Sequence, residues 1–261
     1  MKILTTKTKA VTFAVMATLS MGLTAETQAA EGILQVKETV KSDYAKTKYP
    51  IVMTHGMFGF TRLGTSAFGM DYFYQVLPDL ARNGATVFAT QVSPLESTEV
   101  RGEQLLAQVE EIRALTGKNK VNLLGHSHGG PTVRYIAAIR PDIVASVTGV
   151  AGTFRGSKVA DDILANQGTS TLADFFGGKL LAPIITWAEG NSSLPINTTA
   201  SLISISEKGS AQFNQKFPTA ALAANCNTSG ANLENGIRYY SWTGKAQITN
   251  ILDVLDSVIS Q

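Results

Sequence analysis

The stretch Val121-Asn122-Leu123-Leu124-Gly125-His126-Ser127-His128-Gly129-Gly130-Pro131 decides how this chain is read. Residues 120–124 form an apolar run of strand length, and residues 130–140 read as a helix. Pro131 falls in the helix's first turn, where its missing N–H costs nothing, and Pro141 closes the far end. Between them, Gly125-His126-Ser127-His128-Gly129 fits G-x-S-x-G, a pattern that is weak alone and specific when it joins a strand to a helix. Such a turn strains its central residue, so the chain must be small on either side, as Gly125 and Gly129 are. The turn is expected to lift the Ser127 hydroxyl above the carboxyl edge of a parallel sheet, where α/β folds bind ligands. It also aims a helix N-terminus at any negative charge that develops there. Ser127 is therefore the candidate nucleophile.

A serine that attacks an acyl carbon needs donors for the oxyanion. The usual pair is the amide after the nucleophile and one amide from the loop after an earlier strand. Here these are His128 and, in the loop opened by His55-Gly56 after the apolar run 50–54, Met57. The His55 side chain is expected to hold that loop, a role compatible with an ordinary loop histidine satisfied by local backbone.

Outward from these two turns, residues 85–92 (ATVFATQV) read as another strand. Residues 70–82 have helical spacing, with Pro78 as a kink point and Asn83-Gly84 as an exit. Ser97-Thr98-Glu99 opens a long helix carrying Val100, Leu105, Val109, Ile112 and Leu115 near the 3.6 period, and Gly117 ends it. Residues 143–150 and 237–242 read as strands and 206–217 as a helix, while 31–48 form a polar leader. Residues 172–190 are apolar in patches but broken by Gly177-Gly178 and Pro183, as short helices laid over something would be. Apolar strands alternating with amphipathic helices predict one α/β domain with a doubly wound, mostly parallel sheet.

Composition agrees. The 261 residues are 44% hydrophobic and 16% charged, which suits a single globular α/β domain. A net charge of +2, with no run of five like charges, leaves no footprint for nucleic acid. The first thirty residues differ: Lys2, Lys7 and Lys9 precede an uncharged run over 10–23, and Ala25, Ala29 and Ala30 follow. That is the layout of a secretory signal peptide, too short for a bilayer that needs about twenty residues. Cleavage is expected near Ala29 or Ala30, leaving a secreted domain over 31–261. The single cysteine, Cys226, would then meet an oxidising compartment. It reads as an intermolecular partner, a free thiol, half of a disulfide whose other half is absent, or a small buried residue.

Taken together, YPIVMTHGMFGF (49–60), EVRGEQLLAQVEEI (99–112), KVNLLGHSHGGPTVRYIAAIRPD (120–142), SEKGSAQFNQKFP (206–218) and YYSWTG (239–244) resemble one family. It is that of the secreted, foldase-dependent bacterial lipases of the Pseudomonas and Burkholderia type, which are α/β-hydrolases. The resemblance implies hydrolysis of long-chain triacylglycerols at an oil–water interface by Ser127, with the Met57 and His128 amides as oxyanion donors. It further implies a helical lid over an acyl cleft, for which 172–187 is the candidate and an ordinary buried helix the alternative. A lipase-specific foldase during export and a structural calcium ion are implied as well. Asp253 stands where one carboxylate ligand of that calcium would be, although a solvated aspartate at a helix start accounts for it equally.

In that family the triad Asp and His, and a second half-cystine, lie beyond the YYSWTG strand. Here that stretch holds Asp253 and Asp256 but no histidine or cysteine. The part of the domain bearing the triad Asp and His is therefore expected to be absent from this chain, and the partner of Cys226 with it. Thr153-Phe154-Arg155-Gly156 also departs from the family's Pro-His-Lys-Gly beside the site. Of the three histidines, His126 and His128 flank Ser127 on a tight turn that splays their side chains away, and His55 lies in the oxyanion loop. None suits the general base, so the 261-residue chain alone is expected to be nearly inactive. Two other readings use the same residues. A short-chain esterase of this fold would prefer soluble esters to emulsions. A non-catalytic lipid-binding protein would bind unchanged after Ser127→Ala and ignore a serine-directed phosphonate.

Overall fold

The strand that carries the glycine-serine turn, β6 (Val121–His126), is the central strand of a seven-stranded sheet in a computed structural model of the chain. The structure describes residues 32–64, 68–166, 193–225 and 228–244. The signal segment, the lid candidate 172–187, Cys226 and Asp253 lie outside the described residues.

Around β6 the sheet is built from β1 (Ile33–Val36), β2 (Ile51–Thr54), β5 (Val87–Thr90), β7 (Val144–Val150), β8 (Leu233–Glu234) and β9 (Ile237–Trp242), in the order β1-β5-β2-β6-β7-β9-β8. The five strands from β5 to β9 run parallel, and only the edges, β1 and β8, are antiparallel. A small hairpin of β3 (Arg62–Gly64) and β4 (Gly69–Asp71) stands apart.

The side-chain alternation of β2 and β5 sorts the core into two layers. Val52 and Phe88 pack with α2 (Thr98–Thr116) and α3 (Gly129–Ile139) through Leu105, Val109, Ile112, Val133 and Ile136. Met53, Val87 and Ala89 turn the other way onto Leu77 and Ala81 of α1 (Val76–Arg82). Both faces are thus covered, as a doubly wound sheet requires. Among the described residues, α4 (Lys158–Ala165), α5 (Thr198–Ile205) and α6 (Glu207–Lys216) follow β7.

The caps expected for the long helix are present. Ser97 accepts a hydrogen bond from the Val100 amide, and Gly117 closes the end at a φ of 62°. Elsewhere the structure departs from the periodicity. The helix read over 70–82 begins only at Val76, because Pro78 has no N–H to offer the Tyr74 carbonyl and its ring crowds that group. Met70 and Asp71 instead pair with Leu63 and Arg62, and an Arg62–Asp71 ion pair of 2.6 Å fastens the hairpin. The polar leader over 31–48 hides an edge strand, since Ile33–Val36 pairs with β5. β6 runs two residues past the apolar stretch, because Gly125 and His126 keep pairing with Gly149 and Val150.

Candidate active site

At the end of β6 the chain turns through Ser127, whose φ of 53° places it in the left-handed region. For a residue with a Cβ this costs about 1–3 kcal/mol and persists only where the surroundings over-determine it. They do so through the backbone. The Ser127 amide donates to the Val150 carbonyl at 2.9 Å, and the Ser127 carbonyl accepts from Gly130 at 2.9 Å and from Thr153 at 3.4 Å. The flanking glycines leave no room for side chains. A Cβ on Gly125 would run into the Gly129 carbonyl, and one on Gly129 would lie 2.5 Å from the Thr54 oxygen. Behind the turn, the Phe154 ring fills a hollow lined by Gly130, Gly149 and Gly152. The segment Thr153-Phe154-Arg155-Gly156 thus props the turn from below.

The loop after β2 comes against this turn. A Cβ on Gly56 would sit 2.8 Å from the Ser127 Cβ and 3.1 Å from the His126 carbonyl oxygen, so only glycine fits. Around that contact the amides divide sharply. Those of Gly56, Phe58, Ser127 and Gly130 donate to Tyr72 Oη, Pro94, Val150 and Ser127 respectively. Among the described residues, the amides of Met57 and His128 donate to nothing. Two unspent N–H groups flanking a serine are what an oxyanion needs.

Each histidine is committed elsewhere. His55 Nδ1 donates to the Gly56 carbonyl at 2.8 Å, while its Nε2 accepts from the Val92 amide at 3.3 Å and Gln91 Nε2 at 3.2 Å. Burial first, and then the Arg101 charge, push its pKa down to about 3, so it stays neutral. His128 is fully buried, with Nε2 2.9 Å from Thr98 Oγ1 and Nδ1 3.5 Å from Ser201 Oγ. Burial, Arg101 and His55 together hold it well below the usual histidine value. His126 Nδ1 lies 2.6 Å from the Tyr72 hydroxyl, and burial lowers its pKa as well. Because that hydroxyl accepts from the Gly56 amide at 3.2 Å, its own proton is directed to His126. Burial raises the Tyr72 pKa and keeps the phenol protonated. Among the described residues, the Ser127 hydroxyl has no hydrogen-bond partner.

The structure therefore brings together Ser127, Met57, His128, His55, Gly56, Gly125 and Gly129, all singled out from the sequence. Sequence reading missed Tyr72 and Arg101. Tyr72 fell inside a stretch read as helix. Arg101 left a signal: it precedes Leu105 by four residues and so shares the buried stripe of α2. No group of three or more His, Cys, Asp or Glu side chains among the described residues could hold a metal ion.

A parallel sheet with a strained serine at the tip of its central strand defines a class, and comparison with known proteins agrees. Residues 49–252 match the model of the alpha/beta hydrolase fold, and the chain belongs to that family. Over 216 residues it is 47% identical to a triacylglycerol lipase of Vibrio cholerae, covering 82% of this chain and 68% of that one. A triacylglycerol lipase of Pseudomonas fragi is 34% identical, with 83% and 75% covered. One of Burkholderia plantarii is 36% identical, with 78% and 59% covered. Among solved structures, the mature form of a Bacillus licheniformis lipase superposes with a TM-score of 0.55 at 19% identity, over 80% of this chain and 70% of that one, a likeness of fold.

Proposed function

We propose that this chain is a secreted serine esterase acting on long-chain triacylglycerols at a lipid–water interface. The observation that carries the chemistry is the seating of Gly56 against Ser127, with the unspent Met57 and His128 amides on either side. Ser127 Oγ attacks the acyl carbon, and the charge that develops on the carbonyl oxygen falls between those two amides. The alcohol leaves with a proton, and water then cleaves the acyl-enzyme and regenerates Ser127. The names of the relatives support the substrate class. The basic residues, apolar run and alanines of the first thirty residues support export.

The general base is not one of the chain's three histidines, since each is engaged elsewhere. A foldase during export and a structural calcium ion at Asp253 belong to the proposal through the family resemblance alone. Calcium takes roughly six to eight oxygen ligands, and no cluster among the described residues fits it, so no step runs through it.

The test compares acid release from emulsified triolein with that from a soluble acetate ester, using the complete gene product and its Ser127→Ala variant. Emulsion-preferring hydrolysis that vanishes with Ser127→Ala is the expected result. Hydrolysis that survives the substitution overturns the reading, and a preference for the soluble ester turns it into a short-chain esterase. The commitment of all three histidines favours a second reading, a lipid-binding protein without turnover. That protein would bind lipid equally well after Ser127→Ala and form no phosphonate adduct.

A further inference from the structure

We infer that Arg101 is a positioning residue of the oxyanion site, tying the His55–Met57 loop to the base of α3 so that the Met57 and His128 amides keep their spacing. The inference rests on the esterase reading above.

Arg101 is the largest fully buried side chain among the described residues. It projects from the inward face of α2 between the two turns. Its Nη2 donates to the carbonyls of His55 at 2.7 Å and Gly56 at 3.4 Å, and its Nη1 to the carbonyl of Ser93. Its Nε donates at 3.3 Å to Thr132 Oγ1, which passes a 2.8 Å hydrogen bond to the His128 carbonyl. One planar group thus reaches the oxyanion loop directly and the helix behind Ser127 through a single hydroxyl.

The charge state of Arg101 points the same way. A cation withdrawn from water is normally met by a carboxylate, because its desolvation is otherwise uncompensated. Among the described residues, Arg101 has no ion pair and spends its donors on carbonyl and hydroxyl oxygens. Burial lowers its pKa to about 9, which leaves it cationic at neutral pH. Packing alone would be met by an apolar side chain without that cost.

What a buried cation adds here is polarisation. The Gly56 carbonyl belongs to the same peptide as the Met57 N–H, and it receives both the His55 Nδ1 proton and the guanidinium. Donors on the oxygen of a peptide strengthen its N–H as a donor in turn. A fixed positive charge behind that peptide also favours negative charge in front of it.

Single-turnover phosphonylation tests this without depending on deacylation. Ser127 Oγ forms a bond to phosphorus, the bond to p-nitrophenolate breaks, the serine proton passes to solvent, and the released phenolate is read directly. The reagent is an alkyl p-nitrophenyl phosphonate, and the protein is the complete gene product, with folded fraction set by thermal unfolding. Arg101→Gln is expected to lower the maximal rate by about tenfold to a hundredfold while the reagent's half-saturation stays within about twofold. Arg101→Lys keeps the charge but has one ammonium for several carbonyls, and about a threefold to tenfold loss is expected. A folded Arg101→Gln protein reacting at the full rate overturns the inference. If that variant does not fold, a folded Arg101→Lys protein at the full rate overturns it instead. Phosphonylation that persists in Ser127→Ala overturns the esterase reading itself, so the two failures are told apart.

Discussion

The two turns that meet at Ser127 are held by different means. The serine turn is fixed by backbone hydrogen bonds to β7 and α3 and by glycines that nothing else can replace. The loop after β2 is fixed by side chains: Arg101 and His55 on its carbonyls, Gln91 behind His55, and Tyr72 on its Gly56 amide. A backbone-held turn announces itself locally, as small residues at set offsets. A side-chain-held loop depends on residues far along the chain, and a local pattern reports at most that such a residue is buried, as for Arg101, and not what it holds.

The most damaging way to break this comparison is Gly125→Ala, which drives a methyl into the Gly129 carbonyl, a group that cannot move without the turn. We expect a loss of about 3 kcal/mol or more, seen as a lower urea midpoint at unchanged slope.

Acid should reach the side-chain-held part next. His55 and His128 are neutral when folded, with pKa values below the ordinary 6.5. The unfolded chain therefore binds more protons, and stability present above pH 6.5 is lost as pH falls towards the folded value, about 3 for His55. Each histidine contributes about 1.4 kcal/mol by one pH unit below its unfolded value. Urea midpoints that stay flat between pH 7.5 and 5.5 would contradict this.

Ser127→Gly has the opposite sign. Relief of the left-handed strain should raise stability by about 1 kcal/mol while abolishing turnover. A lower melting temperature in that variant would show that the turn is not strained. The smallest effect belongs to Tyr72→Phe, which removes the hydroxyl joining the Gly56 amide to His126. We expect about 1 kcal/mol of stability and a turnover loss of only a few-fold, with substrate half-saturation unchanged.

The same division explains what could be read without coordinates. β9 was legible residue for residue because Ile237, Tyr239, Tyr240 and Trp242 are β-branched or aromatic. The serine turn and the caps of α2 follow from glycine and hydroxyl chemistry within a few residues. Ile33–Val36 looked like leader because it has only four residues, is interrupted by Gln35 and sits in a polar stretch, and it becomes a strand by borrowing the free edge of β5. The 70–82 stretch misled because Pro78, read as a kink inside a helix, sits instead in the first turn of one that begins at Val76. Arg101 and Tyr72 could not be assigned because their roles arise from pairings with residues 16 to 54 positions distant.

The strand order has a consequence for how the molecule assembles. β2 lies between β5 and β6, so Ile51 is paired with Val87 on one side and Asn122 on the other. That part of the ladder cannot close until β6, ending at His126, has been made, and the parallel ladder as a whole waits for β9. Folds dominated by such distant pairings gather their nucleus slowly and leave apolar strands unpartnered meanwhile. Aggregation during refolding should therefore grow with protein concentration. A helper that shields β2 and β6 until β7 arrives would raise the yield without altering the final state.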